Sequence, residues 1–323
     1  MLEHPTLQDI REAQERLKPH IKRTPILRAE KIEKAVGCQL YLKPETLQIT
    51  GAFKIRGALN KALSLSREQL ANGLIATSSG NHAQGIAYAA RMLGVKATIV
   101  VPVTTPRIKI ENTQALGAEV ILFDGDTAAR WKKVCDLAKE NNYAAVHGFE
   151  DPLVMAGQGT IGCEILEDLE GVDTVIVPLG GGGLISGIAT AIKEMRPSVR
   201  VIAAEPSLTP KYYQSRINKE RTSLPLLDTI ADGVRISVPG QNPYPIIEKY
   251  VDEIVLVDDE HIVAGMRCLA KDAKLIAEPA ASIGIGALLA GVIKVEPDEK
   301  VCAVLTGGNW DLCDLAEVYK RGQ

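Results

Sequence analysis

The chain has no C-x-x-C pair, no block of Lys and Arg, and no basic segment leading into an apolar one at its start. Each absence removes a class of function. The six cysteines, at positions 38, 135, 163, 268, 302 and 313, stand far apart. Their spacing argues against a zinc site and for buried free thiols in a reducing cytoplasm. A net charge of −3 without a basic block argues against nucleic acid as a partner. The opening residues Met1-Leu2-Glu3-His4-Pro5 carry no secretory signal. The longest uncharged run, Thr174 to Ile192, is long enough for a membrane span, but it contains Pro178 and four consecutive glycines. A strand, a loop and a buried helix explain it better, so no membrane partner is expected. Internal repeats and low-complexity tracts are also absent.

What is present is an ordinary globular composition, 46 % apolar and 24 % charged over 323 residues, enough for two α/β domains or one large one. Strands and helices alternate from about residue 40 onward, the pattern of a mainly parallel sheet covered by helices. The spacing predicts strands at 74–79, 97–102 and 119–124, with helices at 81–93, 106–116 and 126–141 between and after them. A second unit reads as helix 152–169, strand 174–179, helix 184–195 and strand 200–205. Strand 253–257, helices 259–274 and 279–293, and strand 300–306 complete it. Residues 206–250 are rich in proline and poor in periodicity, and are expected to wrap the surface.

Four segments carry chemistry. Thr50-Gly51-Ala52-Phe53-Lys54-Ile55-Arg56-Gly57-Ala58 opens a helix with Ile55, Leu59, Ala62 and Leu63 on one side. That places Lys54 in the first turn, near a positive dipole end and partly desolvated. Both effects lower a lysine pKa and make the amine a usable nucleophile. Gly180-Gly181-Gly182-Gly183 follows a strand and opens a helix, where backbone N–H groups can converge on one anion. A tight turn alone seldom needs four glycines in a row, so a bound phosphate is the better reading. Ile185 and Ser186 stand where a dinucleotide fingerprint would need its third glycine, and no G-x-x-x-x-G-K-[ST] occurs. Thr77-Ser78-Ser79-Gly80-Asn81-His82 lies at another strand end. Ser79 or Asn81 would cap the following helix in any case, but the cluster is too polar and dense for a cap only, and suits a carboxylate or phenolate oxygen. Leu305-Thr306-Gly307-Gly308-Asn309 ends a further strand and, taken alone, reads as a plain turn. Three sheet-end loops and a candidate lysine point to one crevice at the carboxyl ends of parallel strands. A ligand with a phosphate, a carbonyl able to condense with Lys54 and a ring heteroatom would satisfy all of them, and pyridoxal 5'-phosphate is such a ligand.

On these residues the chain resembles the serine/threonine dehydratase and serine racemase family, the fold type II pyridoxal-phosphate enzymes. The anchors are Lys43-x-Glu45-x-x-Gln48, Gly51 to Ala58, Ser78 to His82, Ala156-Gly157-Gln158-Gly159-Thr160, Gly180 to Leu184, Ala277-Glu278-Pro279 and Thr306 to Asn309. They run through nearly the whole length, about residues 5–315. The resemblance implies an α/β fold of two open twisted-sheet domains, tryptophan synthase β-like. We expect a large cofactor-binding domain of residues 1–49 and 151–323, with a small domain of residues 50–150 inserted in it. It also implies that Lys54 holds the cofactor as a Schiff base and that Phe53 flanks its ring. Asn81 would bond the 3'-oxygen, and Gly180, Gly181, Gly182, Gly183 and Leu184 would bind the phosphate. Thr306 would meet the pyridine nitrogen and leave it unprotonated. Glu278 falls in the segment beside the ring. Ser78, Ser79, Gly80, Asn81 and His82 would receive the substrate carboxylate, with Ser79 facing the side of Cα opposite Lys54. A homo-oligomer, dimer or tetramer, in the cytoplasm is expected.

The chain departs from the family at several positions. Residue 52 is Ala where many members have Ser, and Trp310 follows Gly-Gly-Asn where a small aliphatic residue is expected. Racemases resembling this chain bind a divalent cation through an acidic pair; here Glu205 is present but Lys211 takes the place of the second acid. No metal is therefore expected, and an ammonium beside Glu205 could supply the positive charge. An ACT-type regulatory domain, as in biosynthetic threonine dehydratases, is expected to be absent.

The implied reaction is dehydration and deamination of a β-hydroxy amino acid, L-threonine or L-serine, to a 2-oxo acid and ammonia. In it the β-hydroxyl is protonated by the cofactor phosphate. A serine or aspartate racemase, with Lys54 and Ser79 exchanging protons on opposite faces, and a hydroxyaspartate dehydratase are alternatives within the family. A nicotinamide-dependent oxidoreductase is disfavoured by the glycine spacing. A non-catalytic anion-binding protein would be colourless.

Overall fold

The computed structural model describes residues 4–105 and 107–320. Among these residues ten strands form two sheets. They are β1 (Leu27–Arg28), β2 (Gln39–Pro44), β3 (Leu74–Thr77), β4 (Ala97–Pro102), β5 (Glu119–Phe123) and β6 (Ala144–Ala145). Then follow β7 (Thr174–Pro178), β8 (Arg200–Pro206), β9 (Glu253–Val257) and β10 (Lys300–Leu305). The larger sheet has the order β1-β2-β10-β7-β8-β9 and the smaller β5-β4-β3-β6. All pairs are parallel except β1 with β2. The fold is thus the expected α/β class, and every strand of the smaller sheet lies within residues 74–145.

A parallel sheet is covered by helices on both faces, so its strands read as continuous apolar runs rather than alternating ones. Thr174-Val-Ile-Val-Pro178 is buried throughout. Its side chains still divide by the two-residue period. Ile176 joins the core on one face with Ile202, Val255 and Ala303, whereas Val175 and Val177 join the other face with Val201, Ala203 and Val304. A third core covers the smaller sheet and includes Ile55, Leu59, Ala76, Ile86 and Ile99. The uncharged run at 174–192 resolves into β7, the glycine turn and the buried helix Gly183–Met195. Among the described residues no helix is long and apolar enough to cross a membrane.

Most expected helices form with ends shifted by a residue or two. Asn81–Leu93 ends at Gly94 in the left-handed region (φ 68), and Thr127–Asn141 is capped by the Asp126 carboxylate, which accepts from Ala129 N. The helix expected from Pro106 is seen from Arg107 to Ala115; Pro106 itself lies outside the described residues. Three expectations are corrected. The helix from Asp259 turns π-helical over Leu269–Ala273 and stops at Lys274, a left-handed residue (φ 59) that periodicity alone does not reveal. Residues 206–250 are more than surface wrapping: they contain the helices Lys211–Asn218 and Pro243–Tyr250, and Tyr212 is wholly buried. The cysteines are all free, yet Cys135 and Cys313 are exposed and Cys268 is only half-buried, because a helix turns some of its positions outward.

Strand order decides what meets at the carboxyl edges. β10, last in the chain, lies between β2 and β7. The segments after β2, β10 and β7 are those carrying Lys54, Thr306 and Gly180, so topology makes neighbours of three remote stretches. In the smaller sheet β3 pairs with β6, which brings Ser78–His82 beside His147–Phe149.

Candidate active site

Lys54 is placed by a buried ionic cluster. The next residue but one, Arg56, is fully buried and donates to Glu45 Oε2 at 2.7 Å and to Glu164 Oε1 at 2.6 Å. Lys43 Nζ donates to Glu164 Oε2 at 2.6 Å, and Thr24 Oγ1 to Glu45 Oε1 at 2.6 Å. Burial works against the Arg56 charge, but Glu45 and Glu164 overcome it and the guanidinium stays ionised. Burial likewise works against Glu164, yet Arg56 and Lys43 hold its pKa below the ordinary value. Two cations thus answer two carboxylates, and no net charge is left inside. The cluster ties the start of the helix Lys54–Leu63 to β2 and to the helix Pro152–Asp168. The latter two helices also touch through glycine. A Cβ on Gly57 would stand 2.6 Å from Val154 O, and one on Gly157 would stand 2.6 Å from Arg56 O. Lys43, Glu45, Arg56 and the Gly157–Thr160 stretch are therefore supports rather than lining groups.

The turn before Lys54 is pinned to the loop after β10. Phe53 N donates to Thr306 O at 3.0 Å, Gly308 N to Gly51 O at 2.9 Å, and Asn309 Nδ2 to Thr50 O at 2.7 Å. Gly51 has φ 69, and a Cβ there would fall 2.3 Å from Asn309 Oδ1, so only glycine permits the contact.

The edges of both sheets face one cavity of about 840 Å3, lined by Phe53, Lys54, Ser78–His82, Gly180–Leu184, Glu278 and Thr306. This is within the range of sites for small organic ligands. Each sequence-predicted residue is thereby brought to one place. Lys54 Nζ donates to Gly148 O at 3.0 Å and lies 5.0 Å from the Phe53 ring centroid. Burial lowers its pKa from 10.5 to about 8, with Glu278 acting in the opposite sense. Glu278 is pushed up to about 7, chiefly by burial, while Asn81 opposes the shift. Asn81 Nδ2 donates to both Glu278 oxygens, at 3.0 and 3.1 Å, and its Oδ1 accepts from Asn309 Nδ2 at 2.9 Å.

His82 stands apart from its neighbours in the motif. Its ring is buried, Nε2 lies 3.2 Å from Val146 O, and Nδ1 has no partner among the described residues. Burial first, then Lys54, lowers its pKa to about 3, so the ring is neutral. Ser78 Oγ accepts from Gly80 N at 3.1 Å, whereas the Ser79 hydroxyl has no protein partner among the described residues. At the glycine turn, the backs of the residues are filled. A Cβ on Gly181 would meet Phe149 Cδ1 at 2.4 Å; on Gly182 (φ 97), Tyr212 Oη at 2.3 Å; on Gly183, Phe149 Cα at 2.7 Å. Tyr212 Oη donates to Gly181 O at 2.9 Å and fixes the turn from behind. Leu184 packs into the core with Phe53 and Leu179. The first N–H groups of the helix Gly183–Met195 have no intrahelical acceptor, and the helix end favours negative charge.

An aldehyde-reactive amine, a side-chain-free turn at a helix start and a buried hydroxyl at Thr306 all open on one cavity. These residues fit pyridoxal phosphate. Lys211 and Glu205 are wholly buried behind the turn: Lys211 Nζ donates to Glu205 Oε1 at 2.7 Å and to Leu179 O at 3.3 Å. Among the described residues no group of three or more His, Cys, Asp and Glu side chains is placed to hold a metal ion.

Sequence reading missed the stretch His147-Gly148-Phe149, which touches Lys54, His82 and the glycine turn. Its strand, β6, has two residues and gives no periodic signal. Arg130 and Trp131, also in the lining, lie on the helix Thr127–Asn141 and look like solvent-facing positions in the sequence.

A family model described as pyridoxal-phosphate dependent enzyme matches residues 17–307. The chain is 43 % identical over 313 residues to a protein of Geobacter sulfurreducens named L-threonine ammonia-lyase, covering 97 % of this chain and 78 % of that one. Its structure is similar to that of maize serine racemase, with TM-score 0.93, 36 % identity and coverage of 99 % of this chain and 98 % of that one. It is also similar to the T.th. threonine deaminase, with TM-score 0.90, 39 % identity and coverage of 95 % and 99 %.

Proposed function

We propose that this chain, which belongs to the pyridoxal-phosphate dependent enzymes, dehydrates and deaminates L-threonine or L-serine. The observation that carries the proposal is the meeting, in one cavity, of a Lys54 amine with a pKa of about 8, a bare glycine turn and the Ser78–His82 loop. The names of the similar proteins, a threonine ammonia-lyase and a threonine deaminase, support the choice of substrate.

In this reading Lys54 holds the cofactor, Gly180 to Leu184 take its phosphate, and Phe53, Asn81, Glu278 and Thr306 surround its ring. Bound there, pyridoxal phosphate supplies a sink for the electron pair left when the Cα proton is removed. The substrate carboxylate sits at the start of the helix Asn81–Leu93, where free N–H groups and the Ser79 hydroxyl meet it. The buried His82 ring supports that loop by holding the Val146 carbonyl. With the cofactor bound, Lys54 Nζ would be the group placed to take the Cα proton, a general-base role that requires hydrogen-bond reach. The Cα proton and the β-hydroxyl are together the elements of water, so no oxidant is required. The released enamine takes up water to give the 2-oxo acid and ammonia. A homo-oligomer in the cytoplasm belongs to the same reading.

The similarity to maize serine racemase favours a second activity, reprotonation of Cα from the face of Ser79. An alcohol is a poor acid unless tuned, and Ser79 has no hydrogen-bond partner among the described residues to tune it. Elimination should therefore outrun racemisation. Ammonia release and chiral chromatography on L-threonine and L-serine test both readings. Ammonia well in excess of the D-isomer is expected. An excess of D-amino acid at early times would make the chain a racemase first, and no turnover of either substrate would overturn the proposal.

A further inference from the structure

His147 is an imidazole of the cavity lining with one nitrogen committed to the backbone and the other without a protein partner among the described residues. Its Nδ1 accepts from Phe149 N at 3.3 Å and from Glu150 N at 3.1 Å. An acceptor at Nδ1 fixes the neutral tautomer, with the proton on Nε2. Nε2 has no protein partner among the described residues, and it is not among the buried unpartnered atoms, so it is open to the cavity that His147 lines. Two aromatic rings hold the imidazole in place. Trp131 meets it edge-on with centroids 4.3 Å apart, and Phe149 does so at 4.5 Å. Burial, and after it the Lys54 ammonium, lowers its pKa to about 4, against a smaller pull from Asp151. The ring is a hydrogen-bond donor that carries no charge.

Its position in the fold says what it faces. β6 lies beside β3, so His147 follows the strand next to the one that presents Ser78–His82. The adjacent Gly148 accepts from Lys54 Nζ, and Phe149 packs behind Gly181 and Gly183. His147 thus stands between the loop assigned to the substrate carboxylate and the turn assigned to the phosphate, next to the base that acts at Cα. Neither anion needs it, because each has its own helix start. The group left over on a β-hydroxy amino acid is the β-hydroxyl.

We propose that His147 Nε2–H hydrogen-bonds the β-hydroxyl oxygen of the substrate, and so selects hydroxy amino acids and stabilises the negative charge that gathers on that oxygen as the Cα proton is lost and the Cβ–O bond breaks. The bond is a contact only: Nε2 keeps its proton, and the proton that completes the leaving water is the one Lys54 took from Cα. This rests on the proposed elimination reaction.

The test is His147→Asn in the holoenzyme. An asparagine oxygen accepts from backbone N–H groups two and three residues on, as Nδ1 does, but the far donor is gone. L-serine, L-threonine and β-chloro-L-alanine are compared, since chloride leaves without a hydroxyl oxygen to stabilise. A fall of roughly ten- to a hundredfold in kcat/KM for serine and threonine is expected, with less than about threefold for β-chloroalanine. His147→Phe, which keeps the ring contacts, should show the same contrast. Equal slowing of all three substrates, or of none, would overturn the assignment. Nitrogen NMR of histidine-labelled protein is independent of turnover: among the five histidines, the signals lost in His147→Asn should report a protonated Nε2 and a bare Nδ1. The opposite tautomer would also overturn it. If wild-type protein releases ammonia from none of the three substrates, the elimination reading itself fails and takes this one with it. If it acts on all three and only the contrast is missing, this one alone fails.

Discussion

The lowered pKa of Lys54 has a consequence that does not depend on turnover. At a pKa of about 8 instead of 10.5, roughly one amine in ten is free at pH 7, against about one in three thousand for an ordinary lysine. Covalent loading of the apoprotein with pyridoxal phosphate needs the free amine. Its rate should therefore rise about tenfold from pH 6 to 7, rise by a smaller factor to pH 8, and flatten by about pH 9. Loading is followed by absorbance, stopped with borohydride and located by peptide mapping, which should find Lys54. Glu278→Gln removes the carboxylate that supports the ammonium, and should shift the half-point below about 8. Lys54→Ala should abolish the trapped adduct. The groups around the amine act in known directions: burial disfavours its charge and Glu278 favours it, while His82 and His147 are neutral at these pH values. A rate that keeps climbing tenfold per pH unit beyond pH 9.5 would show an unperturbed lysine and refute the reasoning. So would an adduct on another residue.

Four further outcomes follow from buried contacts. Arg56→Met would leave Glu45 and Glu164 buried with fewer partners, and should cost about 3–5 kcal/mol in denaturant unfolding; a loss below about 1 kcal/mol would mean the cluster relaxes or floods. Gly181→Ala places a Cβ 2.4 Å from the Phe149 ring, and should weaken cofactor binding by about tenfold or more in a fluorescence titration, with part of the loss recovered by adding Phe149→Ala. Exhaustive chelation should leave the reaction rate unchanged, because the Lys211 ammonium already occupies the space beside Glu205. Lys211→Met should destabilise the fold by about 3–5 kcal/mol, and loss of activity on chelation that magnesium or calcium restores would overturn the point.

What could be read from the sequence, and what could not, separates along physical lines. β7 and β10 were legible because a doubly covered strand is an apolar run bounded by turn residues. The glycine turn was legible because four glycines have no cheaper explanation than a backbone that must be bare. The Lys43, Glu45, Arg56 and Glu164 cluster was not legible as a cluster. Its members lie as much as 121 positions apart, and a buried charge looks in sequence like a surface one until its partners are placed. Tyr212 was hidden for another reason: a proline-rich stretch reads as surface, and the short helix there is held by Tyr212 bonding Gly181 O and Gly240 N rather than by its own periodicity. His147 was beyond reach of any pattern, since its tautomer and its exposure are set by two backbone N–H groups and two aromatic rings. The glycine and hydroxyl motifs mark backbone that is bare at a helix start, and that leaves a local trace in the sequence. The cavity-lining side chains His147, Arg130 and Trp131 come instead from segments whose neighbours are fixed by strand order, and strand order is what a single sequence conceals.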